Sequence, residues 1–346
     1  MWSYDGIEVQ VGITTYCNAK CPQCDRTKND GLGKIDNLPL VNWSLDDFKK
    51  AFTEEDLMAI KSIDFCSSWG DSVMNPHLYD IVKHCFEVNP EIIIVMPTNG
   101  SIQTEDWWWK FGLLSDGGKK KLHVKVDIDG PNQEIHSYYR RGTNLEKILN
   151  NIETYTSTRA DAIVTTILFK HNEDYLDEIK ELVKTTGARR HIIKFSEWFH
   201  GDKNISIHYD ENGNEIIFER TTADEKDFDN VNAVGDKITE EVNCGWQKAN
   251  RLSINFDGTI HSCCYYGGAH FQKAKYIKEG NTVVDDFYKE DELNIFNNSL
   301  KEMVEHQYFK ELSKSFDTQP SNACIKHCTI VKNADVRIQN NIIARG

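Results

Sequence analysis

Three cysteines near the amino terminus have the residue type and the spacing of metal ligands. Cys17, Cys21 and Cys24 lie within eight residues in the sequence CNAKCPQC. A structural zinc site takes four protein ligands, whereas a cubane iron-sulfur cluster held by three cysteines leaves one iron open to a substrate or cofactor. The three thiols therefore favour an iron-sulfur cluster over a zinc site completed by a distant histidine, and over a chance group of free thiols.

A second group of cysteines lies in the last third of the chain and can supply a complete ligand set. Four thiolates from separate segments can close a 4Fe-4S cluster, and a structural zinc site is the alternative. Cys263 is preferred to its neighbour Cys264 because of its register in a predicted hairpin, and His327 is an alternative to Cys328. The predicted ligands are Cys244, Cys263, Cys324 and Cys328.

Composition restricts the class of protein. The chain has 346 residues, ten cysteines and a formal net charge of -14. Bulk nucleic-acid binding is disfavoured, because it requires positive charge that neutralises phosphates. The sequence has no apolar run of membrane-spanning length and no secretion signal, so we expect a cytoplasmic protein with no membrane contact and no structural disulfides. The isolated Cys66 and Cys85 are expected to be small buried side chains.

The elements that would position the first cysteine group form an alternating pattern. Short β-branched runs alternate with amphipathic helical windows, which is typical of βα units around a parallel sheet. A capping box of Ser44 and Asp47 begins one predicted helix. The loop with Cys17 follows the first strand, at the carboxyl edge where βα enzymes bind ligands. The predicted strands are residues 7–14, 62–67, 92–96, 122–127, 162–168 and 191–195.

The alternation ends near Phe199, and this change predicts three parts. A hairpin with an Asn-Gly turn lies within residues 205–218, in a strongly acidic stretch. A second hairpin turns at Asp257 and Gly258 and opens a cysteine-rich unit, in which a helix is predicted at 300–316. We therefore predict an α/β core over 1–199, an acidic linker with a hairpin insertion over 200–243, and a small α+β domain over 244–346.

The C-x3-C-x2-C loop after the first of six βα units resembles the radical SAM superfamily, and the resemblance covers most of the chain. It implies a partial (β/α)6 TIM-like barrel in which Cys17, Cys21 and Cys24 hold a 4Fe-4S cluster, with S-adenosylmethionine (SAM) on the open iron. It further implies that SAM is cleaved reductively to a 5'-deoxyadenosyl radical, which abstracts hydrogen from a substrate.

Segments at the ends of later strands resemble the SAM-binding motifs of that family. Gly70 and Asp71 match the segment that binds the methionine amino group, and Asn99 lies in a Thr-Asn-Gly turn. Asp127, with an arginine pair, matches the segment that contacts the ribose and carboxylate. The residues that the resemblance assigns to SAM are Gly70, Asp71, Asn99, Asp127, Arg140 and Arg141.

Two positions depart from the family pattern. Gln23 stands where the family commonly has an aromatic residue near the adenine, which leaves the adenine contacts open. Asp71 replaces the usual Glu; it keeps a carboxylate acceptor but has one methylene less of reach.

The second cysteine group resembles the SPASM/twitch extension of radical SAM enzymes. The segment from Asp257 to Cys263 has the form Asp-Gly-x4-Cys, and the cysteines are too few for two auxiliary clusters. The single-cluster twitch form is therefore implied, with one auxiliary 4Fe-4S cluster. Cys324 and Cys328 are spaced C-x3-C, whereas C-x2-C is more usual, and this is the reason for considering His327.

The resemblance implies a radical SAM oxidoreductase. An auxiliary cluster can take an electron from a substrate radical, which favours dehydrogenation of a small molecule or modification of a peptide side chain. The lack of an obvious extra peptide-recognition domain favours the small molecule. The expected reductant is an external one-electron donor such as flavodoxin or ferredoxin. An alternative of a different class is a non-catalytic iron-sulfur or zinc protein that transfers electrons or binds a partner.

Overall fold

The computed structural model describes residues 1–28, 33–196, 199, 204–210, 212–223, 242–271 and 283–328. Ten strands are found among them: β1 (Ile7–Val11), β2 (Ile60–Asp64), β3 (Ile93–Thr98), β4 (Leu122–Asp127), β5 (Asp161–Leu168), β6 (Arg190–Phe195), β7 (Ile205–Tyr209), β8 (Glu215–Glu219), β9 (Arg251–Ile254) and β10 (Ile260–His261). Eight of them form one sheet in the order β10-β9-β1-β2-β3-β4-β5-β6, and its neighbouring strands are parallel except β9 with β10.

In the described part of the chain the helices are α1 (Leu45–Ala51), α2 (Glu54–Ala59), α3 (Leu78–Val88), α4 (Glu105–Leu113), α5 (Gln133–Tyr139), α6 (Leu145–Ser157), α7 (Leu176–Thr185), α8 (Gly245–Lys248), α9 (Cys264–Phe271), α10 (Val283–Phe287), α11 (Leu300–Val304), α12 (Gln307–Ser315) and α13 (Asn322–Cys328). Helices α1 to α7 connect consecutive strands from β1 to β6, α8 precedes β9, and the remaining helices follow β10. Short 3-10 helices occur at Ser72–Met74 and Glu173–Tyr175.

The prediction of an α/β partial barrel is confirmed. Six parallel strands, β1 to β6, lie where the sequence predicted them, to within a few residues at their ends. The sheet is open, with β6 and β10 at its edges. The capping box at Ser44 and Asp47 begins α1 as expected, because each residue's side chain accepts a hydrogen bond from the other's backbone amide.

One predicted helix is two helices in the structure. The window 300–316 contains α11 and α12, which are separated at His306. His306 has extended backbone angles and its side chain caps α12, because its Nδ1 accepts from the amide of Tyr308 at 3.1 Å. A capping residue in the middle of a helical pattern therefore ends one helix and begins the next.

The second hairpin continues the barrel sheet. β9 pairs in parallel with β1, and β10 returns antiparallel beside β9. Trp43 Nε1 donates to the carbonyl of Phe256 at 2.7 Å, and Trp2 packs edge-on against Phe309. Described residues after 242, among them Leu252, Leu300 and Leu312, thus belong to the same hydrophobic core as the barrel.

The first hairpin, β7 and β8, lies over the carboxyl end of β5. Its inner face carries Phe218, which packs on Phe169 and Tyr139, while Ile205 and Ile207 are exposed. Most of the acidic stretch between the hairpin and Val242 lies outside the described residues, so the predicted boundaries of the linker stay a prediction. Among the helices that the structure describes, none combines the length and apolar character needed to cross a bilayer.

Candidate functional site

The first cysteine group lies in a loop at the carboxyl end of β1, and the backbone holds this loop in place. The amide of Cys24 donates to the carbonyl of Cys21 at 3.1 Å, which forms a turn. The amide of Lys20 donates to the carbonyl of Arg141 at 2.8 Å, and Arg26 Nε donates to the carbonyl of Thr15 at 3.1 Å. The loop is therefore attached both to the segment after α5 and to the chain that leaves β1.

The three thiols of the loop are free, half-buried and close enough to affect one another. Burial raises the pKa of Cys21 to about 12, and Cys24 adds to the rise. Burial also raises the pKa of Cys17 and of Cys24. Thiols that stay protonated near neutral pH release protons when a metal binds, so metal binding at this loop should be favoured at higher pH.

Asp71, in the loop that follows β2, lies beside the cysteine loop and accepts hydrogen bonds from Thr98 and Asn99. Its Oδ2 accepts from Thr98 Oγ1 at 3.0 Å, from the Asn99 amide at 2.8 Å and from Asn99 Nδ2 at 2.7 Å. Burial raises the pKa of Asp71 to about 6, against the effect of these hydrogen bonds. Asn99 Nδ2 also lies 3.9 Å from Cys17 Sγ.

Gly70 lets the loop after β2 approach the loop after β1. A Cβ atom at Gly70 would lie 2.3 Å from the carbonyl oxygen of Thr14, a distance that real Cβ atoms essentially never show. The neighbouring amide, that of Asp71, donates to the carbonyl of Tyr16 at 2.8 Å. Glycine is therefore needed for the backbone contact that brings Asp71 beside Cys17.

Arg140 forms the centre of a buried ionic network on the other side of the loop. Its Nε donates to Asp129 Oδ2 at 2.5 Å, and its Nη1 lies 3.0 Å from Asp127 Oδ2. The same Nη1 lies 4.0 Å from Cys21 Sγ. Burial raises the pKa of Asp129, and the guanidinium of Arg140 opposes that rise.

The structure treats the two adjacent arginines differently. The side chain of Arg140 is buried beside Cys21, whereas Arg141 contributes a backbone carbonyl to the loop. Of the six residues assigned to SAM by resemblance, Gly70, Asp71 and Asn99 thus gather on one side of the cysteines. Asp127 and Arg140 gather on the other side.

The sequence analysis missed Asp129, which is fully buried and binds Arg140 more closely than Asp127 does. The only cue was a second acid two residues after Asp127. It also missed His136, whose Nδ1 accepts from the amide of Asp129 at 3.2 Å and whose Nε2 lies 3.0 Å from Thr143 Oγ1. Burial lowers the pKa of His136 to about 3, so this histidine is neutral and positions the network.

Gln23 turns its side chain into the site. Its Oε1 accepts from Ser196 Oγ at 2.9 Å, and its buried Nε2 finds no hydrogen-bond acceptor among the described residues. A buried donor without a partner is costly unless a ligand or water satisfies it. The orphaned amide next to Cys24 therefore fits a site that takes a polar ligand.

The second cysteine group is brought together from three segments. The amide of Asn243 donates to the carbonyl of Cys328 at 2.7 Å. A hydrogen bond from the Cys328 thiol lowers the pKa of Cys244 to about 7 against the effect of burial. Burial raises the pKa of Cys263, with contributions from Cys264, Cys244 and Cys324. All four predicted ligands are thus near one another.

The two alternatives in this group have different surroundings. The ring of His327 stacks on Tyr265 with 4.0 Å between centroids. Cys264 is half-buried and begins α9, whereas Cys263 is buried. Within the described ranges, no three His, Cys, Asp or Glu side chains are arranged so that they could hold a metal ion. Both groups fit an iron-sulfur cluster by the chemistry of their ligands, because their thiols form no disulfides and are available to bind iron.

Comparisons with known proteins give a family match and a curated relative. The family model described as "Radical SAM superfamily" matches residues 11–184. Among curated proteins, GTP 3',8-cyclase of Helicobacter pylori is 21% identical over 313 residues, which are 83% of this chain and 89% of that protein.

Solved structures with a similar fold include two proteins that have been solved with bound ligands. SuiB of Streptococcus suis superposes with a TM-score of 0.61 at 11% identity, over 90% of this chain and 68% of that chain. It has also been solved bound to its precursor peptide SuiA. The structure of anSMEcpe with bound AdoMet and Kp18Cys peptide gives a TM-score of 0.53 at 15% identity, over 88% of this chain and 82% of that one.

Proposed function

The chain belongs to the radical SAM superfamily, and on this basis we propose that it cleaves SAM reductively and abstracts a hydrogen atom from its substrate. The family implies a SAM-binding 4Fe-4S cluster and SAM as cofactors. When bound, these groups supply a 5'-deoxyadenosyl radical. The residues of the chain bind and orient them and exclude water from the reaction.

The observation that carries the proposal is the arrangement around the CNAKCPQC loop. Three free thiols lie between the Asp71 hydrogen-bond group and the Arg140 network, at the carboxyl edge of a parallel sheet. This edge is where βα folds bind ligands. Thiols suit iron, a carboxylate suits an ammonium group, and a guanidinium suits a carboxylate. The site therefore offers ligands for the cluster and a partner for each charged group of the methionine moiety of SAM.

We assign the roles as follows. Cys17, Cys21 and Cys24 hold the cluster. Asp71, held by Thr98 and Asn99, accepts from the methionine amino group, and Gly70 permits its approach. Arg140 and Asp127 face the carboxylate and ribose, and Arg141 fixes the loop through its carbonyl.

The second cysteine group is proposed to hold one auxiliary 4Fe-4S cluster through Cys244, Cys263, Cys324 and Cys328. Support comes from the mutual influence of these thiols and from the pairing of β9 with β1, which fixes their hairpin to the barrel. The substrate would lose one electron with the abstracted hydrogen atom, and an auxiliary cluster there would accept the second from the substrate radical. An external flavodoxin or ferredoxin would supply the separate electron that reduces the SAM cluster.

Two substrate classes are compatible with this chemistry. SuiB and anSMEcpe have been solved with peptides, which supports modification of a peptide side chain. The Helicobacter pylori relative is named for GTP, which supports a small molecule. Both classes belong in the first substrate screen.

The proposal is tested by variants of the first cysteine group. The triple variant Cys17→Ala, Cys21→Ala, Cys24→Ala should form no 5'-deoxyadenosine after anaerobic reconstitution with iron and sulfide, SAM and a strong reductant. The matched control is Cys85→Ala, because Cys85 is a buried core thiol on α3. Equal 5'-deoxyadenosine in the triple variant would overturn the proposal.

The auxiliary cluster has its own test, which is iron content. Two cubane clusters predict about eight irons per chain, and Cys263→Ala should reduce this to about four. The adjacent Cys264→Ala is the matched control and should keep about eight. Zinc in place of iron, with SAM intact, would instead support the alternative of a non-catalytic metal protein.

A further inference from the structure

The inner face of the open sheet carries polar side chains that the SAM site does not use. Gln10, Asp64, Lys125 and Lys194 are each partly exposed, and their neighbours along the strand are buried. Successive side chains of a strand point to opposite faces, so the buried neighbours face the helices and these four face the hollow of the barrel. We call them the inner polar cluster.

Charges from different strands of the inner polar cluster act on one another. Burial raises the pKa of Asp64 on β2, and Lys125 on β4 and Lys194 on β6 oppose that rise. Burial lowers the pKa of Lys125, and Asp64 opposes this effect. Side chains from both sides of the sheet therefore meet in the hollow.

The side chains of the inner polar cluster carry more positive charge than negative charge. Nearby, Glu8 is paired with Arg251 at 2.7 Å and with Lys61 at 2.8 Å. Neither Lys125 nor Lys194 forms a salt bridge within the described ranges, and Asp64 is the one acid of the cluster. Two ammonium groups facing one carboxylate leave an excess of one positive charge, which favours an anion.

Two acceptors of the inner polar cluster are also unused. Gln10 Oε1 and Asp64 Oδ1 are shielded from solvent and lack a hydrogen-bond donor in the part of the chain that the structure describes. Buried polar atoms of native proteins are normally satisfied by protein, water or ligand. The two unused acceptors and the excess positive charge together indicate a site for a ligand that has an anionic group beside a hydrogen-bond donor.

The inner polar cluster lies directly below the residues assigned to SAM. Lys125 is two residues before Asp127 on β4, and Lys194 is two residues before Ser196, which binds Gln23. Two residues of strand span roughly 7 Å. A substrate group held by the cluster would thus keep the rest of the molecule facing the cysteine loop.

We propose that the inner polar cluster binds an anionic group of the substrate, a carboxylate or a phosphate, with Lys125 and Lys194 facing the anion and Asp64 and Gln10 accepting from an adjacent hydroxyl or ammonium. This inference rests on the proposed function, because it assigns the substrate class of that reaction. It selects acidic or phosphorylated substrates over neutral ones.

The test is calorimetric binding of small probes to the anaerobically reconstituted protein with SAM. Glycerate represents the carboxylate, glycerol 3-phosphate represents the phosphate, and glycerol is the neutral control. At least one anionic probe should bind and glycerol should not, and the probe that binds identifies the anion. Lys125→Met and Lys194→Met should each weaken that binding by about tenfold or more, while Lys125→Arg should restore it.

The exposed Lys121→Met is the matched control for loss of one positive charge, and its affinity should equal that of the wild type. Binding of neither probe, or equal affinities in the wild type and both methionine variants, would overturn the inference. Formation of 5'-deoxyadenosine without substrate is measured on the same samples. Its absence in the wild type would be a failure of the proposed function, whereas the calorimetry reports on the inner polar cluster alone.

Discussion

At the scale of single residues, the charge balance of the site depends on Arg140. This guanidinium neutralises the fully buried Asp129 and contacts Asp127. Removing one partner of a buried ion pair leaves an uncompensated charge, which costs far more than an exposed pair contributes.

We therefore expect Arg140→Met to lower the free energy of unfolding of the metal-free protein by about 3–5 kcal/mol. Urea denaturation followed by circular dichroism measures this loss. Arg141→Met is the matched control and should change it by less than about 1 kcal/mol, since only the backbone carbonyl of Arg141 is used by the cysteine loop. A loss below about 1 kcal/mol for Arg140→Met would contradict the role of the network.

The residues of the site could be predicted from the sequence only where they belong to a spaced motif. Cys17, Cys21 and Cys24 were recognisable because three ligands share one loop. Asp129 was not, because it lies beyond the end of β4, where strand periodicity no longer tells which side chains face inward. The unsatisfied Nε2 of Gln23 could not be predicted either, because the orientation of this side chain depends on a hydrogen bond from Ser196, which is far away in the sequence.

At the scale of elements, the site depends on the loops that follow neighbouring strands. The loop after β2 touches the loop after β1 through the backbone at Gly70 and Asp71. The strands themselves could be predicted from their β-branched runs, whereas this loop contact could not, because it involves backbone atoms of Thr14 and Tyr16 that carry no sequence signal.

Gly70→Ala tests the contact between these loops. The added Cβ would meet the carbonyl of Thr14 at 2.3 Å, so the loops must separate. We expect the free energy of unfolding to fall by about 1–3 kcal/mol, and SAM binding measured by calorimetry to weaken. Gly245→Ala is the control, since nothing lies within 4 Å of a Cβ there, and it should leave both quantities unchanged.

Glu173 attaches the β7–β8 hairpin to the carboxyl end of the barrel. It accepts from Thr221 Oγ1 at 2.6 Å, from the Thr222 amide at 2.7 Å and from Thr222 Oγ1 at 2.8 Å. Burial acts to raise its pKa, but these bonds and Lys170 outweigh that effect and hold the pKa at about 2. A depressed pKa stabilises the fold above the unfolded value of 4.5, and this stability is lost as pH falls toward 2.

Glu173→Gln should therefore lower the free energy of unfolding by about 2 kcal/mol at pH 7, with the difference from wild type shrinking between pH 4.5 and 2. Denaturant titrations at a series of pH values measure this difference. Asp174→Asn, at an exposed neighbouring acid, is the control and should have little effect. A difference that is constant down to pH 2 would mean that the charge of Glu173 is not responsible.

At the scale of the whole molecule, one sheet joins the strand that precedes the first cysteine group to the hairpin that precedes Cys263. The alternating pattern was sufficient to predict strands β1 to β6 with helices between them, because each element has its own local periodicity. The pairing of β9 with β1 joins residues that are more than two hundred positions apart, and no local pattern predicts it. This pairing fixes the hairpin that precedes Cys263 to the barrel, which the proposed electron transfer to an auxiliary cluster would require.

The most direct test of radical SAM activity is the formation of 5'-deoxyadenosine by the wild-type chain. The protein would be reconstituted anaerobically with iron and sulfide and incubated with SAM and a strong reductant, and the products would be separated by liquid chromatography. We predict 5'-deoxyadenosine and methionine in equal amounts, dependent on the reductant. Intact SAM in the presence of a fully assembled iron-sulfur cluster would contradict the proposed function.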